Sequence, residues 1–203
     1  MIRAFIAIDL TDDVRVAIGE AQTRLKRAHT GVKVSWAKVD NLHLTLQFLG
    51  YVAEEVVEKI RAGLEAVAAE HAPFELMIAG AGAFPDENRP RVLWVGCQDS
   101  VPVGARHAAP LQKLAKSVQA AMQPLGFLPE RREFSAHLTL GRVKQPRPDA
   151  ALTRALDSIK NETFGAVRVE AIHLFQSELH PEGSIYSKLS SHQLGERHHG
   201  PKN

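Results

Sequence analysis

The sequence predicts an α+β fold in which two related lobes face each other across a cleft. Three observations predict it. Segments with strand alternation and segments with helical spacing follow in the order strand, helix, strands, helix, strands, and much the same order then repeats. The tetrapeptide His-Leu-Thr-Leu occurs once in each half, at 43–46 and 137–140, so that His137 follows His43 by 94 positions (137 − 43). No short period of about 20 to 50 residues repeats, which excludes a solenoid.

The elements follow in order. Residues 2–9 alternate as a first strand. Thr11 stands at the N-cap of a helix, and Asp12 and Asp13 suit the positive end of its dipole. Val14, Ile18, Ala21 and Leu25 then keep helical spacing, with Arg24, Lys26 and Arg27 near the end. Residues 32–36 read as a short strand and 43–50 as a clearer one. A second helix over 53–70 carries Val56, Ile60, Leu64 and Val67 on one stripe. Phe74–Ala83 and 91–97 alternate as strands on either side of the loop Phe-Pro-Asp-Glu-Asn-Arg-Pro. Residues 98–110 read as a long surface loop. A third helix turns Leu111, Leu114, Val118, Met122 and Leu125 inward. The second His-Leu-Thr-Leu strand follows, then the loop Lys-Gln-Pro-Arg-Pro-Asp and a helix over 149–160. Two last strands cover 165–178 and 184–190. On this reading residues 1–195 form one bilobal domain, and 196–203 is a polar tail expected to be disordered.

A chain of 203 residues suits one domain, or one domain of two lobes. With 44% hydrophobic and 24% charged residues it has the make-up of an ordinary soluble globular protein, able to bury a core without staples. The net charge of +2 is too small to demand a polyanionic partner, although the ten histidines would add charge just below neutral pH. Cys97, the sole cysteine, excludes an internal disulfide framework and a Cys-rich zinc site. It follows the apolar run Val92–Val95, so a buried thiol in a reducing compartment is expected. No apolar run approaches the roughly 20 residues that span a bilayer. The N-terminus lacks a small-residue cleavage site. A cytoplasmic protein without membrane association is expected.

In a strand, successive side chains alternate faces. The two leucines of each motif therefore share one face, which is core. The histidine and threonine share the other, about 7 Å apart along the strand. A single His-x-Thr is ordinarily the solvated face of a half-buried sheet. Two copies in matching lobes point to chemistry. Near an ordinary pKa of about 6.5, one imidazole can be neutral while the other is protonated. Such a pair can take a proton from water and give one to a leaving oxygen. The hydroxyls can donate to non-bridging phosphoryl oxygens. Nothing in the motif needs a metal or another cofactor. In-line displacement at a phosphodiester wants acid and base on opposite sides of phosphorus, which two facing strands supply.

The doubled His-x-Thr-x resembles the 2H phosphoesterase superfamily, and within it the bacterial RNA 2′,3′-cyclic phosphodiesterases, also called 2′-5′ RNA ligases. The resemblance runs over nearly the whole chain. It includes "RAFIAIDL", "SWAKVDNLHLTLQFLG", "GAGAFPDENRPRVLWVG", "LGFLPERREFSAHLTLGRV" and "HLFQSELHPEGSIY". It implies two pseudo-symmetric antiparallel-sheet lobes, with outer helices flanking a central cleft. It implies metal-independent opening of a terminal 2′,3′-cyclic phosphate to a 2′-phosphomonoester, with RNA ends such as those of tRNA fragments as partners and a monomeric enzyme. By the family pattern His43 is the proton donor and His137 the acceptor, with Thr45 and Thr139 holding phosphate oxygens. The family often has a basic residue at the place of Arg142, which makes Arg142 a candidate phosphate contact. Regular alternation sets Arg142 opposite Thr139, and a bulge would change that. The 98–110 loop is longer than the resemblance leads one to expect, and the His-rich tail lies outside it.

Other features weigh less. Arg131, Arg132, Lys144 and Arg147 form either a solvated basic face or a salt-sensitive RNA contact. Phe48, five residues after His43, falls on the core side of a regular strand, as do Phe5 and Phe134 by similar reasoning. Trp36 and Trp94 read as core. The remaining eight histidines read as surface or loop residues, with His198 and His199 able to bind metal adventitiously. Neither a P-loop nor a Gly-x-Ser-x-Gly nor a His-Glu-x-x-His motif is present. Beside the hydrolase stand three alternatives: 2′-5′ ligation in the same site, a non-catalytic RNA-end-binding module, and a cyclic phosphodiesterase for small nucleotides. The binding module predicts loss of a motif residue, and all four are present.

Overall fold

Alternating apolar residues build two antiparallel sheets, and amphipathic helices pack against them. The computed structural model describes residues 1–28, 30–99, 109–128, 133–181 and 183–195. Strands β1 (Ile2–Ile8), β3 (Leu44–Val52), β8 (Ala171–Glu178) and β9 (Ile185–Gln193) form a four-stranded sheet in the order β3-β1-β8-β9. Strands β2 (Val34–Trp36), β4 (Phe74–Phe84), β5 (Val92–Asp99), β6 (His137–Val143) and β7 (Thr163–Val169) form a five-stranded sheet in the order β2-β6-β5-β4-β7. The α-helices are α1 (Asp12–Arg27), α2 (Glu54–Ala68), α3 (Pro110–Met122) and α4 (Ala150–Asp157).

The larger sheet contains the order of the smaller one, β6-β5-β4-β7 against β3-β1-β8-β9. In each, a strand, a helix and then the His-x-Thr strand follow along the chain, and the last pairs with the first. β2 is the addition, pairing on the free side of β6. The sheets do not coincide with the two halves of the chain. Helix α1 leaves β1 of the smaller sheet and packs on β7 and α4, while α3 leaves β5 of the larger sheet and packs on α2 and β3. This exchange joins the layers into one apolar core that includes Ile6, Ile18, Leu44, Leu93, Leu138 and Leu174.

The region 165–178, read from sequence as one strand, is two. β7 belongs to the larger sheet and β8 to the smaller, with Glu170 between them. Buried Val167 and Val169 are in phase with each other, as are Ile172 and Leu174, but the two pairs are out of phase by one residue. A one-residue slip moves side chains to the opposite face, and here it marks the change of sheet. Thr11 sits at the start of α1 in extended conformation, but its side chain does not cap the helix. Asp149 does cap α4, accepting from the Leu152 amide at 2.9 Å. Cys97 is buried, and burial pushes its thiol up to about 12. No helix among the described residues is long and apolar enough to cross a membrane. Most of the 98–110 loop, Arg131, Arg132 and the 196–203 tail with His198 and His199 lie outside the described residues.

Candidate active site

The two His-x-Thr strands lie in different sheets and line one cleft of about 880 Å³. His43, Thr45, His137, Thr139 and Arg142 all border it. The leucines behave as alternation requires: Leu44, Leu46, Leu138 and Leu140 are each at most 3% exposed and belong to the core.

Each histidine is held in the same way. The Nδ1 of His43 lies 2.7 Å from the carbonyl oxygen of Asn41, and the Nδ1 of His137 lies 2.7 Å from that of Ser135. A carbonyl only accepts, so Nδ1 carries the proton in both rings. In the neutral rings Nε2 is therefore the basic nitrogen, and in the protonated rings it carries the exchangeable proton. Both rings rest against aromatics. His43 stacks on Phe5 with centroids 4.5 Å apart and meets Tyr186 edge-on at 5.2 Å. His137 meets Phe84 edge-on at 5.0 Å.

Both motif strands then bulge at the same place. Along β3, Ala7 pairs with Thr45 and Ile6 with Gln47, leaving Leu46 as the extra residue. Along β6, Trp94 pairs with Thr139 and Leu93 with Gly141, leaving Leu140 as the extra residue. A bulge shifts the alternation of everything beyond it. In β6 it brings Arg142 to the face of His137 and Thr139. In β3 it does the same for Phe48, which pairs with Phe5, is 42% exposed and borders the cleft. The core placement expected for Phe48 is therefore corrected, and the bulge is the reason.

The β6 bulge is secured by the residue that follows β2 and, from outside the sheet, by α1. The Leu140 carbonyl accepts from the Ala37 amide at 2.8 Å and from Nε2 of Gln22 at 3.1 Å. Gln22 is 1% exposed and also donates to the Ala37 carbonyl at 2.8 Å. The sequence reading passed over Gln22; the signal was a polar residue four after Ile18, on the apolar side of α1. Arg15, also passed over, secures the approach to His43. Its Nη1 donates to the carbonyls of Val39, Asp40 and Leu42 at 3.2, 3.0 and 2.7 Å, and its Nη2 pairs with Asp9.

Burial pushes the His43 imidazole below its ordinary value. The hydrogen bond to Asn41 opposes this, Arg15 adds to it, and Asp9 opposes it. Burial also acts to raise the Asp9 carboxyl, but Lys188 at 3.0 Å and Arg15 outweigh it and hold the carboxyl below its usual range. Two other histidines are not at the surface, contrary to the sequence reading. His173 and His192 are 9% and 5% exposed. Burial, with Lys188 next in size, brings His173 down to about 4. Both stand on strands of the smaller sheet whose polar positions are covered: His173 bonds Ser191, and His192 bonds Ser190 and Glu65. Trp36 packs against the core as expected. Trp94 instead pairs with Thr139 and so shares its face, stacked on Phe84 at 5.2 Å. Phe5 is buried, but it lies beneath His43 rather than in the core cluster.

Two antiparallel sheets, each presenting an imidazole and a hydroxyl to one shared cleft, define the class: a phosphoesterase of the two-histidine superfamily. The chain belongs to the LigT-like phosphoesterase family, whose model matches residues 8–94 and 101–186. It is 34% identical over 193 residues to the RNA 2′,3′-cyclic phosphodiesterase of Methanothermobacter thermautotrophicus, covering 95% of this chain and 99% of the relative. The protein of the same description from Archaeoglobus fulgidus is 37% identical, with 92% and 97% covered. A crystal structure from Thermus thermophilus superposes with a TM-score of 0.76 at 32% identity, covering 97% of this chain and all of the other. The E. coli LigT structure with 3′-AMP shares the fold, with a TM-score of 0.70 at 23% identity over 95% and 98% of the two chains.

Proposed function

We propose that this protein hydrolyses RNA 2′,3′-cyclic phosphate ends to 2′-phosphomonoesters by two-histidine acid/base catalysis, without a metal ion. The observation that carries the reading is the matched pair of Nδ1–carbonyl bonds, which leaves each Nε2 as the nitrogen that exchanges protons. His137 takes a proton from water as the water attacks phosphorus. The phosphorus–O3′ bond breaks, and His43 delivers a proton to the leaving 3′ oxygen, leaving the phosphate on O2′. Which histidine is donor and which acceptor is carried over from the family pattern. Among the described residues neither threonine hydroxyl is engaged by another protein group, so Thr45 and Thr139 are free to donate to the non-bridging oxygens. Arg142 adds a cation on the same face, and Phe48 offers a ring for a base to stack on. The relatives described as RNA 2′,3′-cyclic phosphodiesterases support the substrate class. With a 5′-hydroxyl end in place of water the same groups run 2′-5′ ligation, and the excess of water favours hydrolysis.

The test is incubation of the purified protein with a short RNA ending in 2′,3′-cyclic phosphate, in excess EDTA, followed by identification of the end. A 2′-phosphate is expected. A 3′-phosphate reverses which oxygen leaves, and RNA bound but unchanged sinks the catalytic reading.

A further inference from the structure

The cleft is symmetric in its histidines and threonines and asymmetric beyond them. At the fifth residue after each histidine the smaller sheet carries Phe48 and the larger one Arg142. Past Phe48 the smaller sheet exposes Tyr51, and the nearby cation, Arg3, is engaged over the Phe48 ring at 5.7 Å and with Ser177 at 2.9 Å. Past Arg142 the larger sheet has a strand with no counterpart, β2. Ser35 of β2 pairs with Arg142, and the Lys144 amide donates to the Lys33 carbonyl at 2.9 Å. Residues paired across strands share a face. The same alternation, carried one step past the ends of β2 and β6, sets Lys33 and Lys144 on the face of Arg142.

Lys33, Arg142 and Lys144 are all exposed, and among the described residues none makes an ion pair. Asp149 is the carboxylate near this end. It is already engaged by the amides of Gly31 and Leu152, at 2.6 and 2.9 Å, while Arg147 donates to the Gly31 carbonyl at 2.6 Å. Arg147 is the cation that offsets the Asp149 charge, so Lys33, Arg142 and Lys144 are left without a carboxylate partner among the described residues. By strand rise, with the bulged Leu140 adding no full step, Arg142 lies about 7 Å beyond Thr139 and Lys144 about 13 Å beyond it. Arg142 is within reach of the reacting phosphate, whereas Lys144 and Lys33 are beyond it.

We propose that Arg142, Lys144 and Lys33 form a track for the phosphodiester backbone on the 5′ side of the reacting end. The strand leaves the cleft over β6 and β2, and the site favours an RNA oligonucleotide over a cyclic mononucleotide. This rests on the reading of the His43–His137 cleft given above.

The experiment compares the wild-type protein with the double variant K33Q/K144Q on adenosine 2′,3′-cyclic monophosphate and on a short RNA ending in 2′,3′-cyclic phosphate. The ratio of kcat/KM, oligonucleotide over mononucleotide, is expected to fall about tenfold in the variant, the worth of two exposed charge contacts. The salt dependence for the oligonucleotide is expected to become shallower by about 1.4 in log–log slope, about 0.7 for each lost phosphate contact. An unchanged ratio and slope overturn the proposal, as does an equal loss on both substrates. If the wild-type protein opens neither substrate, the hydrolytic reading fails instead. The track is then read by fluorescence anisotropy with a fluorescein-labelled RNA of the same length: weaker, less salt-sensitive binding by K33Q/K144Q supports it, and identical binding overturns it.

Discussion

Phe48 and Arg142 occupy the same place in two different sheets. Each stands five residues after a cleft histidine. Each is turned to the cleft face by a one-residue bulge at the last leucine of His-Leu-Thr-Leu. The repeated bulge builds equivalent positions, and the residue types filling them make one wall aromatic and the other cationic.

The Arg142 side depends on Gln22. Gln22→Leu removes the donor to the Leu140 and Ala37 carbonyls and leaves buried acceptors short of a partner. A loss of about 1–3 kcal/mol in unfolding free energy is expected, measured by urea denaturation. With the bulge loosened, Arg142 loses its fixed position, and the KM for cyclic-phosphate RNA is expected to rise more than kcat falls. A variant with wild-type stability and KM argues against the bulge as the device that aims Arg142.

Replacing either imidazole tests the proton transfers. His43→Ala and His137→Ala are each expected to lower the rate of cyclic-phosphate opening by about 10² to 10⁴, the usual contribution of one acid or base. The assay is run in EDTA. Full activity in either variant removes the paired mechanism.

The pH profile separates the two roles. Burial depresses the His43 imidazole, so the free protein loses the His43 proton below pH 6.5. A proton donor must be protonated. If His43 is the donor, the alkaline limb of kcat/KM, which reports the free enzyme, falls below pH 6.5 and disappears in His43→Ala. An acidic limb at that place, lost in the same variant, would make His43 the acceptor.

Stability should also respond to pH through His173. Its folded-state value is about 4 against 6.5 for an ordinary imidazole, so the unfolded chain binds the proton more tightly. The sign follows: the contribution is fully present above pH 6.5 and is lost as pH falls toward 4. At about 1.4 kcal/mol per pH unit, the loss reaches about 3 kcal/mol by about pH 4. Urea denaturation at about pH 7.5 and about pH 4.5 measures it. His173→Gln is expected to flatten this part of the profile, and an equally steep profile in the variant would assign the dependence to other groups.

Sequence alone determined whatever depends on neighbours along the chain. Alternation set the leucines of both motifs against the core and the histidines and threonines away from it. Helical spacing placed the four helices to within a few residues. The repeat of His-Leu-Thr-Leu joined two distant segments into one candidate site. The slip between Val169 and Ile172 was also present in the sequence, though 165–178 read as a single strand because no glycine or proline interrupts it. Tertiary structure decided the rest. Whether Phe48 and Arg142 face the core or the cleft turns on bulges, and a bulge is fixed by hydrogen bonds to residues far away in sequence, such as Gln22 to Leu140 across 118 positions. Which sheet receives α1 and α3, and whether His173 and His192 are buried, depends likewise on which layers meet. Local periodicity carries no record of those contacts, because it describes the faces of an element and not what those faces pack against.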